Sequence, residues 1–180
     1  MIKDKTKYNV YLGRFSPLHK GHEAVINGVI ERHGTDNLLI IIGSSTSHNN
    51  RTPYTFEERS NMIRAIFPNA NIIGLPDIKP DRVFFKEDTN ERWLKSIKEI
   101  EEDMNAEFTF FGGSAEDLAV LSREFKTEVI VDRDKDPEKI SATKVREAFE
   151  SGDIEKAKSM ISERVYSLVS STNDETLRKV

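Results

Sequence analysis

Five apolar residues in a row, Leu38-Leu39-Ile40-Ile41-Ile42, stand between Asn37 and Gly43. A strand exposed on one face alternates apolar with polar residues. An unbroken run suits a strand buried on both faces, inside a parallel sheet covered by helices. The neighbouring segments agree with that reading. Residues 8–12 read as a strand ending at Gly13, and 20–32 as a helix with His22, Val25, Ile26, Val29 and Ile30 on one stripe. Thr55 and Glu58 have the spacing of a capping box. The helix they open carries Arg59, Met62, Ile63, Ile66 and Phe67 on one stripe, and Pro68 stops it. Downstream, the pattern predicts a strand over 71–75 and a helix over 90–104 with Trp93, Leu94, Ile97 and Ile100 inward. A strand over 107–111 ends in Gly112-Gly113, a helix follows over 116–125, and a further strand lies at 129–131. Short helices over 143–150 and 154–160 are separated by Gly152-Asp153. Such alternation implies an α/β domain: a parallel sheet of about five strands, helices on both faces, right-handed crossovers and short C-terminal helices.

Composition narrows the function classes. A chain of 180 residues suits one domain, placed at 1–170, with polar residues 171–180 as a flexible tail. The balance of 27 Lys and Arg against 31 Asp and Glu gives a net charge of -4, which argues against nucleic acid and anionic membrane as partners. There are no cysteines, so disulfides, thiolate nucleophiles and cysteine-ligated metal centres are excluded. The run over 38–42 is too short to span a bilayer. The first residues carry charges with no apolar stretch behind them, so no signal peptide is read and a cytoplasmic protein is expected.

The stretch Gly13-Arg14-Phe15-Ser16-Pro17-Leu18-His19-Lys20-Gly21-His22 lies at the first strand-to-helix junction. Open parallel sheets bind ligands at such junctions, and a helix N-terminus presents free N–H groups and partial positive charge to an anion. His19 and His22, three residues apart, project on the same side. Two readings compete: a phosphate site, or one capping and one packed histidine. Arg14 and Gly21 favour phosphate, since arginine forks onto phosphate oxygens and glycine admits close approach. No H-E-x-x-H pattern accompanies the histidines, so a metal pair is disfavoured. A second helix start, Ile140-Ser141-Ala142-Thr143-Lys144-Val145-Arg146, offers a capping Ser141 and an Arg146 one turn in. Taken together, the two starts suggest a polyphosphate held between them.

With these residues the chain resembles the H-x-G-H nucleotidylyltransferase superfamily, whose fold is Rossmann-like. The middle segment, Ile42-Gly43-Ser44-Ser45, Ser47-His48 and Arg51-x-Pro53-Tyr54-Thr55-x-x-Glu58-Arg59, narrows the likeness. It is similar to nicotinamide mononucleotide adenylyltransferases of the archaeal type and to bacterial relatives carrying a fused Nudix domain. Asn90-Glu91-Arg92-Trp93 also looks like the segment that sets an aromatic ring beside the nicotinamide. The likeness covers about residues 7–160. It implies AMP transfer from ATP to nicotinamide mononucleotide, with NAD and pyrophosphate as products. It also implies Mg²⁺ held mainly by the ATP phosphates, with no protein metal site. By this resemblance Gly13, Arg14, Phe15, His19, Gly21, His22, Gly112, Ser141, Thr143 and Arg146 bind ATP. His19, His22, Arg14 and Arg146 are the catalytic set. Ser44, Arg51 and Trp93 take the mononucleotide.

From pattern alone Arg51 reads equally as a solvated loop residue, and Trp93 as core. Residues 78–88 make a longer and more charged stretch than the resemblance leads one to expect. The same motifs leave room for another acceptor (pantetheine phosphate, a flavin or glycerol phosphate) or for a non-catalytic sensor of NAD or ATP. A homo-oligomer is compatible with the resemblance, but no interface pattern stands out.

Overall fold

The computed structural model describes residues 3–77 and 89–178. Its centre is a five-stranded sheet in the order β3-β2-β1-β4-β5, with every neighbouring pair parallel. The strands are β1 (Thr6–Gly13), β2 (Leu38–Ile42), β3 (Asn71–Gly74), β4 (Ala106–Gly112) and β5 (Lys126–Val129). Between and after them run α1 (Lys20–His33), α2 (Phe56–Ile66), α3 (Thr89–Asp103), α4 (Ala115–Leu118), α5 (Ala142–Glu150), α6 (Ile154–Met160) and α7 (Glu163–Arg178).

The apolar run behaves as its sequence requires. All of β2 is buried, and its residues alternate between two cores. Leu38, Ile40 and Ile42 pack with Val25, Ile26 and Val29 of α1, Met62 and Ile63 of α2, and residues of α5, α6 and α7. Leu39 and Ile41 pack on the other face with Leu94 and Ile97 of α3, Phe108 and Phe110 of β4, and Leu118 of α4. A period of two on a strand produces this split, and each face then needs its own apolar cover.

The chain departs from the sequence reading in three places. The strand expected over 129–131 pairs instead as Lys126–Val129, polar but for its last residue, along Thr109–Gly112 of β4. An edge strand needs little apolar surface. The apolar signal came from Ile130 and Val131, which pack against the first core. The helix expected over 116–125 breaks into α4 and a 3-10 turn, Leu121–Arg123. Finally, α7 forms over Glu163–Arg178, where the sequence pattern marks no helix. Val165 and Val169 of α7 are fully buried in the first core. The charged stretch over 78–88 lies outside the described residues.

The strand order reverses direction at β1. From β1 the chain goes outward through β2 to β3, then returns to lay β4 on the opposite side of β1. The loops leaving β1 and β4 therefore diverge, opening a crevice at the carboxyl ends of the two strands.

Candidate active site

Two cavities lie in that crevice. One, of about 430 Å³, is lined by Leu12, Gly13, Arg14, Gly43, Ser44, Asp77, Asn90 and Trp93 among others. The other, of about 260 Å³, is lined by His22, Gly112, Gly113, Leu118 and Arg133 among others. Leu12, Gly13, Asp117 and Leu121 line both, which makes them two compartments of one site.

The two histidines cap one helix start reciprocally. His19 is the N-cap of α1, and its Nδ1 accepts from the N–H groups of Gly21 (3.1 Å) and His22 (3.3 Å). In return His22 Nδ1 accepts from the N–H of His19 at 3.2 Å. This is a capping box built from imidazoles, with the rings stacked at 3.6 Å. A neutral imidazole whose Nδ1 accepts must carry its proton on Nε2. Both rings are thus held as Nε2–H donors. They are also held neutral. Burial and the cation of Arg133 bring His19 down to about 3, and burial, His19 and Arg133 hold His22 well below the usual histidine value.

Packing explains the residues around them. Phe15, buried at a left-handed φ of 53°, sets its ring 4.8 Å from that of His22 and 5.4 Å from that of Tyr11. Bulky residues avoid that region, so surrounding structure must hold it there. Gly21 also has a packing reason within the protein. A Cβ there would sit 2.9 Å from two atoms of the His19 ring. Gly113 is required in the same way, because the Arg133 side chain crosses the place a Cβ would fill.

The second helix start meets the first. Arg146 donates to the carbonyl of Ser16 at 2.7 Å and to Thr143 Oγ1 at 3.3 Å, tying α5 to the β1–α1 loop. Ser141 caps α5, its Oγ accepting from the N–H of Lys144 at 3.2 Å. Of the residues expected to take the mononucleotide, Ser44 and Trp93 share the larger cavity with Arg14. Trp93 also packs on the second core, as its place on the apolar stripe leads one to expect. Arg51 is not brought to either lining. It sits exposed in the β2–α2 loop, where its N–H donates to Asn49 Oδ1 at 2.9 Å.

Three residues escaped the sequence reading. Arg133 donates to the carbonyl of Ile140 and stands in the smaller cavity beside His22, though its setting Asp132-Arg133-Asp134-Lys135-Asp136 reads as a solvated charge run. Asp117 sits in the wall common to both compartments. Arg59 counted as one member of an apolar stripe, yet it is fully buried and acts as a hub. Its guanidinium donates to the carbonyls of Arg14 (3.0 Å), Gly43 (2.9 Å), Ser44 (2.9 Å) and Thr55 (3.3 Å). The signal was available: a cation at a core position of a helix calls for several buried acceptors.

The family model described as cytidylyltransferase-like matches residues 10–148, which takes in both helix starts, the end of β1 and all of β2 to β5. The chain belongs to the cytidylyltransferase-like family. Among similar proteins is the nicotinamide-nucleotide adenylyltransferase of Methanocorpusculum labreanum, 38% identical over 96 residues, which are 51% of each chain. That of Thermococcus onnurineus is 30% identical over 154 residues, 82% of this chain and 74% of the relative. The aligned part is thus about half of the first relative and three quarters of the second. Among solved structures, a bifunctional NMN adenylyltransferase/ADP ribose pyrophosphatase from Francisella tularensis, complexed with AMP and a manganese ion, superposes with a TM-score of 0.55. It is 24% identical, over 82% of this chain and 42% of that one, and supports the fold. This cytidylyltransferase-like chain carries its Rossmann-like sheet with helices on both faces. Among the described residues, no helix is long and apolar enough to cross a membrane.

Proposed function

We propose that the chain transfers AMP from ATP to nicotinamide mononucleotide, giving NAD and pyrophosphate. The observation that carries this is the two-compartment crevice, with neutral Nε2–H imidazoles on one side and Trp93 on the other. The likeness to named nicotinamide-nucleotide adenylyltransferases supports the choice of acceptor.

In this reading a 5′-phosphate oxygen of the mononucleotide attacks the α-phosphorus of ATP. A new P–O bond forms, and the bond from that phosphorus to the β-bridging oxygen breaks. Pyrophosphate carries the electron pair away. The attacking phosphate is already anionic, so no general base is needed and catalysis is alignment plus charge stabilisation. His19 and His22 donate to the ATP phosphates, with His22 nearest the α-phosphate. Arg14 and Arg146, helped by Ser141 and Thr143, hold the β- and γ-phosphates, and Arg133 adds a cation beside them. Gly13, Phe15, Gly21 and Gly112 shape this half of the site. Arg51 reaches from its loop for the mononucleotide phosphate, while Ser44 and Trp93 bound its sugar and base.

Among the described residues no group of three or more His, Cys, Asp or Glu side chains could hold a metal ion. In this reading Mg²⁺ would be carried on phosphate oxygens and water, where it would neutralise charge on the triphosphate. The test is incubation with ATP, Mg²⁺ and a panel of mononucleotide acceptors, scored by product mass and pyrophosphate. Formation of NAD supports the reading; a different product names another acceptor. Nucleotide binding without pyrophosphate release overturns it in favour of a sensor.

A further inference from the structure

The first turn of α1 carries a carboxylate at the same helix end as the histidine pair. Glu23 follows His22 directly, and its N–H donates to the carbonyl of His19 at 3.0 Å, one turn into the helix. Side chains on a helix lean toward its N-terminus, and positions four apart are neighbours on one face. Left to itself, the Glu23 side chain would lean back toward His19 and an anion seated there. It is held elsewhere. Ser162 Oγ lies within hydrogen-bonding distance of both carboxylate oxygens, 2.7 Å from Oε2. Ser162 precedes α7, and its carbonyl accepts from the N–H of Tyr166 at 2.8 Å, which makes it the N-cap of that helix. The carboxylate thus lies at the positive end of a 16-residue helix, whose dipole offsets its charge. That helix start is itself fixed in place. Arg164 donates to the carbonyl of Ala65 near the end of α2 at 3.0 Å, and Val165 is fully buried.

A carboxylate in a first helical turn is favourable by itself, so Glu23 needs no partner for the sake of α1 alone. A triphosphate at the same helix end changes the balance, because the two anions repel each other. We propose that Ser162 and the N-terminus of α7 form a latch that holds Glu23 away from the ATP phosphates. Ser162 is a positioning residue in this scheme, acting on the nucleotide only through Glu23. The assignment rests on the reading of the α1 start as the ATP phosphate site. It gives the C-terminal helix a part in nucleotide affinity, although none of its described residues lines either compartment.

The experiment uses the full chain and a mutant cycle of Ser162→Ala against Glu23→Gln. ATP and mononucleotide KM are measured by pyrophosphate release. Ser162→Ala is expected to raise the ATP KM about fivefold, while the mononucleotide KM moves less than about twofold. The excess over wild type should shrink as salt rises from about 0.05 to 0.5 M, because screening weakens repulsion between the charges. In the Glu23→Gln background, Ser162→Ala should change the ATP KM less than about twofold, since no charge is left to hold. Ser162→Thr, which keeps the hydroxyl, should restore the wild-type ATP KM. Ser162→Gly, which spares the helix cap, takes the place of the alanine variant should that fail to fold. An unchanged ATP KM overturns the proposal, and a lowered melting temperature beside it marks the contact as structural only. A fivefold effect that persists in the Glu23→Gln background or at high salt overturns it too. If wild type releases no pyrophosphate, the proposed function fails separately. The same variants are then compared by calorimetric Kd for ATP, where the same salt-sensitive, non-additive pattern is required. A wild type that binds no ATP overturns both.

Discussion

His22 owes its chemistry to a cap. Because its Nδ1 is engaged by the backbone of His19, its Nε2–H is the one donor left to offer a ligand. His22→Ala should therefore lower kcat by about 10²–10³-fold, the usual effect of losing one preorganised donor. The loss of half the capping box should cost only about 1 kcal/mol, so the variant remains folded. Pyrophosphate kinetics beside a thermal melt separate the two effects. Acid should act on the same pair. His19 titrates at about 3 when folded, and His22 is also held well below its ordinary value. An unfolded histidine takes its proton near 6.5. Between these values the unfolded chain binds more protons, so stability is full above about 6.5 and declines as the pH falls toward 3. The urea midpoint of wild type should drop through that window, and by less in His19→Gln. Arg51 makes a claim of the same scale. Arg51→Ala should raise the mononucleotide KM more than the ATP KM, and equal effects would remove its assignment.

At the scale of the element, the loops after β1 and β2 are held by one residue of α2. Arg59→Ala would leave the carbonyls of Arg14, Gly43 and Ser44 without their donor. At about 1–3 kcal/mol for each orphaned group, the expected loss is about 3 kcal/mol or more, read as a shift in urea unfolding. This hub was visible in the sequence only as an oddity, an arginine on an apolar stripe with Met62 and Ile63. Its partners are main-chain groups of distant loops, and no spacing rule encodes them. Capping behaves differently. Thr55 with Glu58 and Ser141 with the N–H of Lys144 were legible because a cap is satisfied within four residues. That β5 would pair through Lys126–Val129 was not legible, since edge pairing is decided by β4 beside it.

For the whole molecule, α7 closes the first core. Val165 and Val169 are fully buried there, and each such side chain contributes about 1.5–3 kcal/mol. A chain ending at residue 162 should melt lower by more than about 6 °C or lose cooperative unfolding. One ending at 170 keeps both valines and should melt close to the full chain. The segment is hard to read from sequence because Ser167, Ser170, Ser171 and Thr172 dilute its apolar spacing with poor helix formers. The crevice is likewise a property of the whole. It exists because β4 returns to the far side of β1, which brings Gly13 and Gly112, at the ends of those strands, to one mouth.

By itself the sequence determined the parallel sheet, the helix starts and the chemical type of the first site residues, because periodicity and capping act over a few residues. Which side chains reach one another is set by the packed fold. It turned His19 and His22 into reciprocal caps with defined tautomers, and it set Gly21 against the His19 ring, where a Cβ does not fit. It also brought Arg133 beside His22, and Asp77 against Ser44 and Ser47. Those contacts depend on where three strands end in space, a quantity set by sheet order and core packing, and no local pattern carries it.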